Sequence, residues 1–173
     1  MTTNNKTTTK RPSLQITRKL NVLGLSAIIS LFFSCKQDFT YEQYRIIDKT
    51  MWDKNKEYYF TFNIDDPSKT YDVSLQIRNN NKYPYQNIWL FLQEEKPIGG
   101  IERDTIECML ADDFGKWYGH GISLYEMSFP IKTGYRFPHK GQYTFAVKQA
   151  MRDSCIIGIQ EIGLQVQESS FLP

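Results

Sequence analysis

The sequence has few of the residues that build metal sites and covalent cross-links. Only two histidines and three cysteines occur among its 173 residues. His120 and His139 lie in turns marked by glycine or proline, and neither has the partner spacing expected of a zinc site. We therefore predict no metal and no cofactor. Cys108 and Cys155 could pair in an oxidising compartment, but a buried free thiol is at least as common on an apolar strand face such as that of Cys108.

Acidic residues are missing from residues 1–34, which carry five of the 21 basic residues. Without this segment, 16 basic residues face 19 acidic residues, which gives a formal charge of −3. A weakly acidic exported chain lacks the concentrated basic surface that nucleic-acid binding needs. We therefore exclude nucleic acid as a partner.

The apolar run from Leu20 to Phe33 is too short to span a membrane comfortably. As a helix it would rise roughly 21 Å, against a hydrocarbon core of about 30 Å. Basic residues precede the run, and it ends at Ser34 and Cys35, which resembles a bacterial lipoprotein signal peptide. Phe32 stands where such signals usually have leucine. We predict cleavage after residue 34 and lipidation of Cys35, which would fix the protein to a membrane through acyl chains.

Two other interpretations of this segment stay open. It could be an uncleaved signal anchor, or a secretory signal that is cut elsewhere and leaves Cys35 as an ordinary thiol. In the preferred interpretation, residues 35–39 are the lipidated cysteine and a short tether, residues 40–168 form one domain, and residues 169–173 are a C-terminal tail. The 139 mature residues suit a single domain with its own hydrophobic core.

From residue 40 onward the apolar residues recur with a period of two, which is typical of half-buried β-strands. Tyr58, Phe60 and Phe62, for example, alternate with polar or exposed positions. About eight strands and no convincing amphipathic helix predict an antiparallel β-sandwich, of immunoglobulin-like or jelly-roll type.

Two of the predicted strands carry further expectations. Residues 87–93 are apolar on both faces, which predicts a central strand that is covered on both sides or has an aromatic outer face. Within this run we expect Trp89 to be buried. The strand that starts at Ile122 is expected to end near Pro130, because proline cannot donate a ladder hydrogen bond.

The acidic clusters have ordinary explanations. Asp65-Asp66 and Asp112-Asp113 lack the alternating oxygen ligands of a calcium loop, so turn and capping roles are expected. Glu94-Glu95, Asp104 and Glu107 could supply a glycosidase pair only if two carboxylates faced each other across a cleft. The chain also has no nucleophile elbow, phosphate loop or dinucleotide fingerprint. We predict that the protein is not an enzyme.

Several short segments resemble a known family by their order and spacing. They are Tyr83-Pro84-Tyr85-Gln86-Asn87 before Leu90-Phe91, Asp104-Thr105-Ile106-Glu107, Leu110-Ala111-Asp112 before Gly115-Lys116-Trp117-Tyr118-Gly119, Phe137-Pro138 before Gly141-Gln142-Tyr143-Thr144-Phe145, Gln149-Ala150-Met151-Arg152, and Gly158-Ile159 to Gly163-Leu164. Together they resemble the gliding-motility lipoprotein family GldH of Bacteroidetes over essentially the whole mature domain. The resemblance implies an outer-membrane lipoprotein, on either the periplasmic or the surface face. It further implies association with gliding machinery and type IX secretion, with other lipoproteins of that machinery as partners. No catalytic residues can be carried over from the family, because it has no established chemistry.

Aromatic residues supply the remaining functional signal. Tyr83, Tyr85, Trp117 and Tyr118 are predicted to form a partner-binding surface, because flat rings offer contact area at low entropic cost. Trp117 and Tyr118 are adjacent in a loop with three glycines, so one ring should point inward and anchor the loop while the other is available. Two functions compete: a structural component of a gliding or secretion assembly, and a surface lipoprotein that binds glycans.

Overall fold

The structure is a computed structural model that describes residues 1–2 and 39–169. All of the strands lie in the unit Asp38–Pro173. No helix in the described residues is long and apolar enough to cross a membrane. The strands are β1 Tyr41–Ile46, β2 Met51–Asp53, β3 Glu57–Ile64, β4 Tyr71–Asn80, β5 Asn87–Glu95, β6 Ile101–Met109, β7 Leu124–Tyr135, β8 Gly141–Gln149, β9 Cys155–Ile157 and β10 Ile159–Glu168, with a single 3-10 turn at Asp48–Thr50.

Eight long strands form two four-stranded antiparallel sheets. Sheet I has the order β1-β10-β4-β7 and sheet II has the order β3-β8-β5-β6, while the short strands β2 and β9 pair with each other. Numbered along the chain, the eight long strands follow the orders 1-8-3-6 and 2-7-4-5, which is the jelly-roll arrangement. The predicted antiparallel β-sandwich is confirmed, and the strand order selects the jelly-roll alternative.

The inner faces of the two sheets share one hydrophobic core. Alternation produces it, because every second residue of β3 is buried: Phe60, Phe62 and Ile64 point inward. Phe62 lies near the middle, with its ring centroid 5.8 Å from that of Phe137 and 5.9 Å from that of Phe145. Burying each such ring contributes about 1.5–3 kcal/mol to the free energy of unfolding. This core holds the two sheets together, so the residues on the outer faces are not needed for that contact.

Strand β5 corrects one expectation. Trp89 is not buried: 38% of its surface is exposed, and Phe91 is exposed beside it on the same face. Ile88, Leu90 and Leu92 take the inward positions, so the strict alternation of the strand turns the two aromatic residues outward. Of the two predicted arrangements for this strand, the structure has the one with an aromatic outer face.

Pro130 does not end its strand, which is a second correction. Strand β7 continues through it to Tyr135, and Pro130 pairs with Ser74 next to a register shift. Strand β7 is the edge of sheet I, where a residue without an N–H costs no ladder hydrogen bond if that position faces outward.

The cysteines of the sandwich are free thiols. Cys108 is buried on the inner face of β6, and Cys155 in β9 is partly exposed. Burial raises the pKa of the Cys108 thiol to about 12. Cys108 therefore behaves as a small apolar core residue.

Candidate functional site

The loop of residues 110–123 crosses from β6 of sheet II to β7 of sheet I. Its first part is a turn held by Asp112, whose carboxylate oxygen accepts hydrogen bonds from the backbone N–H groups of Phe114 at 2.9 Å and Lys116 at 2.8 Å. The Asp112 N–H donates to the carbonyl of Lys116 at 2.9 Å. These bonds hold the turn in one conformation, as expected for aspartate in a turn.

Two glycines allow the path of the loop. Gly115 has a φ of 81° and Gly121 a φ of 145°, both in the region that favours glycine. A Cβ atom on Gly121 would lie 1.8 Å from the carbonyl oxygen of Leu124. The loop can therefore close onto the start of β7 only if residue 121 has no side chain.

The adjacent rings of this loop have different environments. Trp117 is partly buried, its indole N–H donates to the side-chain oxygen of Asn81 at 3.0 Å, and its ring centroid lies 5.8 Å from that of Tyr125. Tyr118 is 55% exposed. Trp117 thus anchors the loop, and Tyr118 presents its ring to solvent beside Gln76 and His120.

The other two predicted rings, Tyr83 and Tyr85, pack on the side of Trp117 and do not contact Tyr118. Tyr83 is only 3% exposed, and its hydroxyl donates to the carbonyl of Asn87 at 2.8 Å. Burial raises the pKa of Tyr83. Tyr85 packs against it with centroids 5.8 Å apart, stays partly exposed, and donates its hydroxyl to the Asp153 carboxylate. Tyr83 therefore supports Tyr85 from below, while Tyr118 lines a different depression and makes no ring contact with either of them.

Sequence reasoning did not single out two exposed apolar residues of this loop. Phe114 at the tip of the turn is 95% exposed, and Ile122 is almost as exposed. The signal for Phe114 is the segment Asp112-Asp113-Phe114-Gly115, because aspartate in first and glycine in fourth position mark a turn, and turns lie at the surface. Single exposed apolar residues are common on protein surfaces, so these two side chains do not by themselves mark a site.

Two of the acidic candidates, Asp66 and Glu94, have structural roles. Asp66 accepts hydrogen bonds from the backbone and hydroxyl of Ser68, so it holds a turn as Asp112 does. Glu94 is buried and lies 2.7 Å from the Lys132 ammonium, which links the two sheets. No group of three potential metal ligands occurs within residues 1–2 and 39–169. Cys35 and the cleavage site after residue 34 lie outside the described residues.

The sandwich matches one protein family along its whole length. The family described as GldH lipoprotein matches residues 39–166. The gliding motility lipoprotein GldH homolog of Christiangramia forsetii is 31% identical over 149 residues, which is 82% of this chain and 91% of that protein. The gliding motility lipoprotein GldH of Flavobacterium johnsoniae is 30% identical over 155 residues, or 85% of this chain and 94% of that protein.

Similarity to solved structures is much weaker. The structure of TmCBM61 in complex with β-1,4-galactotriose aligns with 76% of this chain and 91% of its own, at 9% sequence identity and a TM-score of 0.34. Such a score carries no argument about a binding site.

Proposed function

Because the chain belongs to the GldH lipoprotein family, we propose that it is an outer-membrane lipoprotein and a non-catalytic accessory component of gliding machinery. The similarity to two gliding motility lipoproteins over most of both chains supports this proposal. We place the protein with type IX secretion, the export route that the resemblance implies. Its work is binding, since the polar residues discussed above serve turns and an ion pair between sheets.

The anchor in this proposal is Cys35, acylated after cleavage behind residue 34. The Cys35→Ala variant should lose metabolic acyl labelling and move from the envelope fraction to the soluble fraction, with an unchanged far-ultraviolet spectrum. Cys155→Ala is the matched control and should keep both the label and the location. A Cys35→Ala protein that remained labelled and membrane-bound would disprove lipidation at this residue.

The partner in this proposal is another envelope protein of the gliding or secretion machinery, bound through the loop of residues 110–123. The observation that carries it is the pairing of an anchored Trp117 with an exposed Tyr118. A ring presented from a fixed backbone loses little conformational freedom on binding, so more of its contact energy appears as affinity. Phe114 and Ile122 are two further exposed apolar side chains of the same loop.

Alanine substitution of the two rings tests this assignment. Tyr118→Ala should weaken the binding free energy of the partner by about 2 kcal/mol, seen as reduced co-purification, and leave the thermal unfolding midpoint unchanged. Trp117→Ala should lower the stability of the domain by about 2–3 kcal/mol, because it removes a packed ring and its hydrogen bond. Tyr59→Ala, at another exposed ring, should affect neither. If both loop variants lose stability equally, or both keep every partner, the loop is not the binding site.

A glycan surface made of the same four rings has less support. Tyr83 is buried and Trp117 packs against Tyr83 and Tyr125, so these rings cannot form a flat platform together with Tyr118. We therefore assign this end of the sandwich to a protein partner.

A further inference from the structure

Sheet II has a depression on its outer face that follows from its strand register. Ala146 in β8 pairs with Tyr59 of β3 on one side and with Gln93 of β5 on the other. In the adjacent row, Lys148 pairs with Glu57 and Phe91 in the same way. One methyl group is therefore surrounded by long side chains, and Ala146 becomes the floor of a groove.

This groove has a volume of about 580 Å³. Small-ligand sites commonly have volumes of about 300–1,000 Å³. Phe91 contributes a ring that is 48% exposed, and Arg103 and Thr105 of β6 extend the lining beyond it. The groove thus has an apolar surface on one strand and polar groups on both sides.

The charged groups of the groove compensate each other. The Lys148 ammonium lies 3.6 Å from the Glu57 carboxylate, which also accepts the Tyr59 hydroxyl at 2.6 Å. The Arg103 Nε donates to the side-chain oxygen of Gln93 at 3.0 Å. With Asp104, the lining holds two acidic and two basic residues. Its formal charge is zero, so the groove favours neither an anionic nor a cationic ligand.

We propose that this groove binds a neutral oligosaccharide. A pyranose ring has a face of C–H groups, which packs on an aromatic face, and a rim of hydroxyl groups that both donate and accept hydrogen bonds. Phe91 would stack under such a ring, while Glu57, Gln93, Arg103 and Lys148 would bond its hydroxyls. A protein partner fits less well, because charged side chains are depleted at the centres of protein interfaces. This site shares no residue with the loop of residues 110–123 and does not depend on the function proposed there.

The test uses the protein as it is purified from envelopes, in a detergent without a sugar headgroup. A glycan array with neutral and acidic oligosaccharides identifies the probe, and calorimetry with the best neutral binder gives its affinity. Phe91→Ala should weaken binding about tenfold or more, because the stacking ring is lost. Ala146→Leu should abolish binding by filling the floor of the groove.

Two variants act as controls. Trp89→Ala removes an exposed ring of the same face outside the groove, and Tyr118→Ala removes the ring of the loop; both should bind the oligosaccharide as the wild type does. Unfolding curves confirm that each variant is folded, and Gln93→Ala replaces Ala146→Leu if that protein is unstable. The proposal is overturned if only acidic glycans or none bind, or if Trp89→Ala reduces affinity as much as Phe91→Ala. Loss of partner binding by Tyr118→Ala with intact glycan binding would support both assignments separately.

Discussion

The two outer faces of the sandwich arise from the same strand alternation but differ in how their side chains interact. On sheet I, the outward side chains bind one another: the Tyr44 ring covers Gly163, the Arg78 guanidinium lies 4.2 Å from the centroid of that ring, and the Tyr44 hydroxyl donates to Glu126 at 2.8 Å. On sheet II, Trp89 and Phe91 are exposed, and a groove opens between the rows. The charged groups of sheet I meet around an aromatic ring, whereas the paired charged groups of sheet II border a groove and leave two aromatic rings exposed.

This difference shows where binding can arise without a cost in stability. Arg78 bridges two carboxylates, Glu126 at 3.2 Å and Glu161 at 2.5 Å, so a ligand on sheet I would have to break these bonds. The groups that line the groove on sheet II are also paired, but the Lys148 ammonium lies farther from its carboxylate partner Glu57, at 3.6 Å. We therefore expect outward positions to matter more for stability on sheet I, and we propose that they serve recognition on sheet II.

The largest expected effect is on the reactivity of Cys108, which lies on the inner face of sheet II. Its reactivity tests whether sheet II is closely packed beneath the groove. The pKa of about 12 and the burial of Cys108 should make its thiol react with a thiol reagent at least about a hundred times more slowly than Cys155 at pH 8. The rates are measured by mass spectrometry in the Cys35→Ala background. Equal rates would mean that sheet II opens readily and that its groove is not a fixed feature.

Arginine substitutions compare the two outer faces directly. Arg78→Ala should lower the free energy of unfolding by about 2 kcal/mol, because Glu126 and Glu161 both lose a charged hydrogen bond. Arg103→Ala, on sheet II, should change it by no more than about 0.5 kcal/mol. Urea unfolding of both variants provides the measurement. Similar losses would contradict the proposed difference between the outer faces of sheet I and sheet II.

Substitutions that add one or two methyl groups compare the packing of the two outer faces. A Cβ atom on Gly163 would lie 2.7 Å from the Tyr44 ring, so Gly163→Ala should displace the ring and cost about 1–2 kcal/mol. Ala146 is 6% exposed at the floor of the groove, so Ala146→Val can extend its methyls towards the groove and should stay within about 0.5 kcal/mol of the wild type. Calorimetric unfolding distinguishes the two, and a tolerant Gly163 would show that the Tyr44 network is not closely packed.

The smallest effect is the contribution of one sheet I residue, Tyr44, to the pH dependence of stability. Burial and the Glu126 carboxylate raise the pKa of Tyr44 above its ordinary value of 10.0. The folded protein therefore holds this proton more tightly than the unfolded chain, and the resulting stability is complete below pH 10 and is lost as the pH rises above it. Tyr44→Phe should be about 1 kcal/mol less stable at pH 8. Its stability should then fall less steeply between pH 10 and 11.5. Parallel curves for both proteins would exclude Tyr44 from this titration.

Much of the fold could be predicted because alternation is a local property. Strands β3 and β4 each place apolar residues at every second position, and turn residues separate them. Strand β1 was less evident, because Tyr41–Ile46 is an edge strand of mixed composition in which only alternate rings reach the core. Trp89 was misplaced because an apolar run predicts burial on both faces, whereas the pleat of β5 turns it outward.

The two candidate sites differ in how visible they are in the sequence. Glycines and aspartate mark the loop of residues 110–123, and adjacent rings on an extended segment must face opposite ways, so Trp117 and Tyr118 could be assigned different roles. The groove is invisible, since it needs the pairing of Tyr59, Ala146 and Gln93, which come from three strands far apart in the chain. Such register depends on non-local contacts that a single sequence does not display.

Strand β10 is the last strand of the described chain, yet it lies inside sheet I between β1 and β4. Tyr41 pairs with Val166, so the first and last strands of the jelly roll meet only when nearly the whole chain is available. Non-local pairing of this kind makes folding slow and late. For a protein that we propose is exported, the consequence is a chain that stays open during translocation and folds after Ile159–Glu168 has emerged. Loss of this strand would leave β1 without its neighbour and expose the edge of β4 to pairing with other chains.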